Sequence, residues 1–138
     1  MNYLTLDAGP FIGLFYAKDT YHQQCVEGFA QLGKDKTILL TPIPIVFEVY
    51  KWLLMRTNPA TAQEALQVME DSLHLIEINK VDLTDLKATL LQLPQWQGSL
   101  EDATVVLVAL RYRCPVWTYN FRDFAAFKAL NFWIPEST

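Results

Sequence analysis

The stretch 116-VWTYNFRDFAAFKALNFW-133 decides how this chain folds. Its first four residues are β-branched or aromatic and suit a strand. They run without a linker into Asn120, Arg122 and Asp123, with Phe at 121, 124 and 127 around them. Such a segment is either a strand feeding a short amphipathic helix whose polar residues face water, or the rim of a site. The surrounding sequence decides between the two.

Working outward, two kinds of segment alternate. Short apolar runs predict strands at 2–6 (NYLTL), 37–41 (TILLT), 73–78 (LHLIEI), 115–119 (PVWTY) and 131–134 (NFWI). Helical patterns fall between them: 8–17, then 21–32 with Gly33 as a stop, then 44–56, which Asn58-Pro59 ends. Pro59 in a first turn restarts a helix, with Thr61 and Glu64 spaced as a capping box. Residues 83–93 form the next helix before Pro94, Ser99 opens another through Arg113, and 123–130 a short last one. Strands alternating with helices mean βαβ units. The expected fold is α/β: a three-layer α/β/α sandwich around a mostly parallel sheet of about five strands, as a single domain over 1–138.

Composition limits the function classes. Half the residues are hydrophobic and 13% aromatic, so a core can be buried and disorder is excluded. Cys25 and Cys114 lack metal-ligand spacing and read as buried thiols of a reducing compartment. The opening MNYLTLDAGPF lacks a basic secretory start, and no apolar run nears the roughly 20 residues that span a bilayer. A cytoplasmic protein with no membrane association is expected. A net charge of −4 argues against broad nucleic-acid binding. It leaves room for nucleic acid at one small site where divalent ions supply positive charge.

In parallel sheets ligands sit beyond the carboxyl ends of the strands, so acids just after strands matter most. Asp7 ends the first strand and would serve as an N-cap. Glu48 lies in a helix apolar nearly all round, so it should be largely buried; the alternative is a surface pair with Lys51. Asp102 follows Ser99 by three residues, a spacing that also fits a plain capping box. Its neighbour Glu101 reads as a solvated first-turn acid. Asp123 follows the fourth strand and could equally be a helix-start acid, with Asn120 a turn residue. Each bland reading stands alone, yet a parallel sheet would bring all four acids together. Crowded carboxylates must share protons or hold a cation. With no His or Cys cluster, that cation would be Mg²⁺ or Mn²⁺, which prefer oxygen ligands.

In this arrangement the chain resembles the PIN-domain family, the fold of VapC-type toxin ribonucleases. LTLDAGPFIGLFY is similar to the family's opening strand and Asp, and YHQQCVEGFAQL to its second helix. TPIPIVFEVYKWLL is similar to the Thr-led segment with an internal Glu. SLEDATVVLVALRYRCPVWTYNFRDF resembles the helix-opening Asp-Ala and the strand ending in Thr-x-Asp-x-x-Asp-Phe. The resemblance implies that Asp7, Glu48, Asp102 and Asp123 form a catalytic cluster holding one or two Mg²⁺ or Mn²⁺ ions. It implies hydrolysis of RNA, a homodimer and a small antitoxin partner. Thr118 matches a strand-end Thr that can hydrogen-bond a neighbouring acid.

Two positions depart from the pattern. Asn120 stands where the family's Asp is usual, offering a carbonyl oxygen without charge, and Gly9 stands where a Ser or Thr often assists. Arg122, Lys51 and Phe121 are candidate RNA contacts, with Phe121 able to stack on a base; His22 reads as a groove-rim residue. The rival from another class is a PIN-like RNA-binding or interaction module that has lost turnover, and Asn120 favours it. A receiver-type phosphoacceptor would need a Lys at the end of a later strand, where none falls. A haloacid-dehalogenase-type phosphatase would need a second Asp where Gly9 stands.

Overall fold

A computed structural model describes residues 2–136; Met1, Ser137 and Thr138, part of the expected 1–138 domain, lie outside the described residues. The chain runs β1 (Tyr3–Leu6), α1 (Ala8–Phe15), α2 (His22–Lys34), β2 (Ile38–Pro42), α3 (Ile43–Arg56), α4 (Pro59–Ser72), β3 (His74–Ile76), α5 (Lys80–Leu91), α6 (Leu100–Tyr112), β4 (Val116–Trp117) and α7 (Phe121–Phe124).

The strands form one parallel sheet in the order β3-β2-β1-β4, flanked by helices. Side chains alternate across β1 as strand geometry requires. Leu4 and Leu6 enter the main core with α1–α4, while Tyr3 packs beside a smaller cluster around Leu40, Ile76 and Val108. At 4.9 Å from Phe29 and from Trp133, Trp117 anchors the main core. Gly28 permits this packing, because a Cβ there would lie 2.6 Å from the Trp117 indole.

The sheet has four strands rather than about five. The segment expected as a fifth makes only an isolated parallel bridge, Val116 to Phe132. Two backbone bonds hold it, Val116 N–H to Asn131 O and Trp133 N–H to Val116 O, both 2.9 Å. Pro135, three residues on, lacks the N–H that would lengthen the ladder. Helix α2 passes through Gly33 to Lys34, and the chain reverses at Lys36 with φ 55°. Helix α4 is capped by Asn58, whose side chain accepts from Thr61 N–H at 2.8 Å, so Thr61 and Glu64 are not its capping box. Helix α5 starts three residues before the expected Leu83, because Asn79 and Asp82 form a reciprocal capping box. Helix α7 is a single turn, shorter than the expected 123–130 and displaced to an earlier start.

Strand order reverses between β1 and β4: β2 and β3 lie on one side of β1, β4 on the other. The carboxyl ends at such a switch point open a crevice that ligands favour. Asp7 follows β1 there, and Thr118 follows β4.

Candidate active site

Asp7 is 5% exposed. At the N-cap position of α1 its side chain caps no helical N–H. Its Oδ2 instead accepts from the Thr118 hydroxyl at 2.7 Å, and its Oδ1 is buried with no partner. The carboxyl is pushed up from 3.8 to about 6, first by burial and then by the Asp102 charge, against the pull of the Thr118 bond and the Ala8 backbone. A buried oxygen without a partner costs free energy unless water or a cation completes it. The Thr41 hydroxyl, at the end of neighbouring β2, is likewise buried without a partner.

Glu48 is half-buried on α3, less enclosed than the apolar pattern of that helix predicts, because α3 leaves Phe47 71% and Met55 72% exposed. No Lys51 pair forms; among the described residues the one ion pair joins Arg111 to Asp82. Glu48 is raised from 4.5 to about 7, by burial and then by Asp7, Asp102 and Glu101. With Lys51 and Glu101 it lines a cavity of about 400 Å³.

Asp102 does two things. Its Oδ2 accepts from Ser99 N–H at 3.1 Å while Ser99 Oγ accepts from Asp102 N–H at 3.1 Å, the reciprocal box foreseen from the spacing. Burial raises its carboxyl despite those bonds, and the Asp123 and Glu101 charges add to the rise. Capping and membership of the acid cluster are therefore compatible.

Asn120 and Asp123 complete the rim. Asn120 N–H donates to Thr118 Oγ1 at 2.9 Å, and its Nδ2 donates to Asp123 Oδ2 at 2.9 Å. A line of hydrogen bonds thus runs from Asp123 through Asn120 and Thr118 to Asp7. Arg122 and Phe121 are exposed, Phe121 edge-on to Phe132 at 5.3 Å. Gly9 makes room for Tyr119, whose Cδ2 would sit 3.2 Å from an added Cβ. His22 Nδ1 lies 2.7 Å from Gly13 O, occupied at the start of α2 rather than in the acid cluster.

The charges of Asp7 and Asp102 act on Glu48, that of Asp102 acts on Asp7, and that of Asp123 acts on Asp102. Two participants escaped the sequence reading. Glu101 is half-buried and acts on both Glu48 and Asp102 rather than facing only solvent. Trp96 donates its Nε1–H to the backbone oxygen of Asp123 at 2.8 Å; an aromatic in a Gln- and Pro-rich loop was the only signal.

Among the described residues no three His, Cys, Asp or Glu side chains converge closely enough to grip one ion alone. The donor set still fits a hard cation that keeps most of its waters and needs only one or two carboxylates. All its members are oxygens, and Asp7 Oδ1 lacks any other partner.

No protein-family model matches this chain, and no curated protein matches it. Solved structures do. The VapC20 toxin of Mycobacterium tuberculosis, a sarcin–ricin loop cleaving toxin, superposes with a TM-score of 0.77 at 16% identity, over 90% of this chain and 95% of that one. Rickettsia felis VapBC2, bound to a promoter DNA fragment, gives 0.72 at 13% identity over 95% and 97%. A toxin–antitoxin complex from Klebsiella pneumoniae gives 0.62 at 19% identity over 98% and 99%. The likeness shows the fold: the chain has the PIN-like architecture of VapC toxins, with a parallel sheet of four strands.

Proposed function

We propose that this PIN-fold chain is a metal-dependent endoribonuclease and the toxin of a toxin–antitoxin pair. Asp7 carries the proposal: a buried carboxylate at the β1/β4 switch point, raised to about 6, with one oxygen unpartnered and other acids around it. Such a cluster is costly to fold around, and binding a cation that neutralises it offsets the cost. The VapC likeness of the fold agrees with this chemistry.

Asp7 and Asp102 would hold Mg²⁺ or Mn²⁺, with Glu48 and Asp123 completing the shell through water. When bound, the ion would polarise the scissile phosphate and acidify an attacking water. Thr118 fixes the orientation of Asp7 through Oδ2 and leaves Oδ1 without a partner. Glu48, half-buried beside Asp7 and Asp102, would accept the proton of the attacking water. The water oxygen bonds to phosphorus, one bridging P–O bond breaks, and the leaving oxygen takes a proton from solvent. Asn120 orients Asp123 through its Nδ2 bond. Lys51, exposed beside Glu48, and Arg122, beside Asp123, are the cations available to RNA phosphates. A small antitoxin and a homodimeric state, carried from the family resemblance, and a cytoplasmic location, carried from the cysteine usage, complete the proposal.

The test is cleavage of purified total RNA with Mn²⁺, Mg²⁺ or EDTA, read by sequencing new 5′ ends. Cleavage should require the metal, and Asp7→Asn, checked for folding by circular dichroism, should lower it by more than the 10–100-fold typical of outer-shell substitutions. Metal-independent cleavage, or full activity in Asp7→Asn, would overturn the proposal. A second reading, RNA binding without turnover, is favoured by the amide of Asn120 replacing a carboxylate beside Asp123. It predicts RNA binding and no new ends under any condition.

A further inference from the structure

The loop 92–99 between α5 and α6 builds a second cavity that shares only Asp123 with the acid cluster. It is an open cleft of about 590 Å³ between Gln92, Gln95, Trp96 and Gln97 on the loop and Arg122 and Asp123 on the α7 segment. That volume lies within the range of roughly 300–1,000 Å³ usual for ligand pockets. The walls are held in place. Trp96 is tied to Asp123 O at 2.8 Å and meets Phe127 edge-on at 5.4 Å. Gly98 lets the loop fold against the indole, where any Cβ would collide with the ring. Ser99, the next residue, caps the helix that carries Asp102. The cavity is therefore fixed to two acid-bearing elements at once.

Its polar groups are unspent. Gln92, Gln95 and Gln97 are exposed, and among the described residues their side-chain amides make no hydrogen bond within the protein and Arg122 makes no ion pair. An amide offers a donor and an acceptor side by side, the pattern that pairs with the edge of an unstacked base. A guanidinium suits a phosphate. Uncharged donor–acceptor pairs beside one cation and one carboxylate, Arg122 and Asp123, match a nucleotide better than an acidic or basic peptide.

We infer that this cavity is a base-reading subsite for one single-stranded RNA nucleotide next to the bond cut at the acid cluster, with Gln95 and Gln97 reading the base and Arg122 holding its phosphate. The inference rests on the proposed ribonuclease reading, and it sets sequence preference rather than turnover.

The test is fluorescence anisotropy with labelled homopolymeric RNA octamers of A, C, G and U, in buffer with Ca²⁺. The wild type should prefer one homopolymer by about tenfold, the low end of what one well-placed base contact provides. A Gln95→Ala/Gln97→Ala double variant should bind all four alike, and Arg122→Gln should weaken all four to a similar degree. Equal binding of the four by wild type, no binding, or a preference that survives in the double variant overturns the inference. The preference present without any cleavage of total RNA would instead leave the subsite standing and remove the ribonuclease reading.

Discussion

Asn120 stands three residues from Asp123 and donates its Nδ2–H to the Asp123 carboxylate at 2.9 Å. A carboxylate in its place would face Asp123 across that distance, and two carboxylates so close cannot both ionise without a shared proton or a cation. Asn120→Asp is therefore expected to lower the unfolding midpoint in EDTA at pH 8, by a few degrees for a cost of about 1 kcal/mol. The same substitution should enlarge the rise in midpoint that Mn²⁺ produces. Equal midpoints in EDTA and an equal Mn²⁺ response would show that the Asn120 amide is not what steadies Asp123. At this scale much of the candidate cluster was legible: Asp7, Asp102 and Asp123 stand out because each follows a strand or opens a helix, and Glu48 because it interrupts an apolar helix. Glu101 was not, because a first-turn acid looks solvated until its neighbours across the crevice are known. The Asn120–Asp123 bond was equally hidden, since a sequence shows an amide without showing which way it donates.

Helix α6 shows how an element can set the geometry of a site. Its start is fixed by the reciprocal bonds of Ser99 and Asp102, and those bonds also hold the Asp102 carboxyl in place. Ser99→Ala removes the hydroxyl that receives the Asp102 N–H, at a cost of about 1 kcal/mol. It should lower stability by that amount in urea and, by loosening Asp102, lower RNA cleavage at fixed metal concentration. Ser99→Thr, which keeps the hydroxyl, should recover both; stability lost with full cleavage kept would confine Ser99 to a structural role. The capping spacing of this helix was readable, as was the alternation of strands and helices behind the parallel sheet. Where elements were misjudged, longer-range contacts decided. Asp82, whose box with Asn79 starts α5 early, also accepts from Arg111 at 2.6 Å, a bond between residues 29 apart. The 131–134 segment has the composition of a strand, yet its ladder ends after one bridge.

Across the whole molecule, the acids make stability depend on pH in an unusual direction. Asp7 rises from 3.8 to about 6 and Glu48 from 4.5 to about 7 on folding, each led by burial; Asp102 rises too. Between these limits the folded chain binds protons that the unfolded chain has released. Stability must therefore fall as pH rises through the window from about 4 to about 7. At about 1.4 kcal/mol per pH unit, the Asp7 rise from 3.8 to about 6 corresponds to roughly 3 kcal/mol as an upper limit. Asp82 works the other way, held below its ordinary range by Arg111, so its contribution is lost only at more acid pH. Urea unfolding in EDTA should give a maximum near the acid side of the window and a decline toward pH 8. Asp7→Asn should flatten that decline and be the more stable chain at pH 8. Mn²⁺ should restore the wild type at pH 8, because a cation among ionised carboxylates binds the folded chain alone and adds about 2.7 kcal/mol at 100 times its Kd. It should do so far less in Asp7→Asn. A wild-type profile in EDTA that instead rises steadily from pH 4 to pH 8 would mean that the acids are separate, solvated helix-start residues. In that case Asp7 would no longer support a cation, and the ribonuclease reading would lose the residue that carries it.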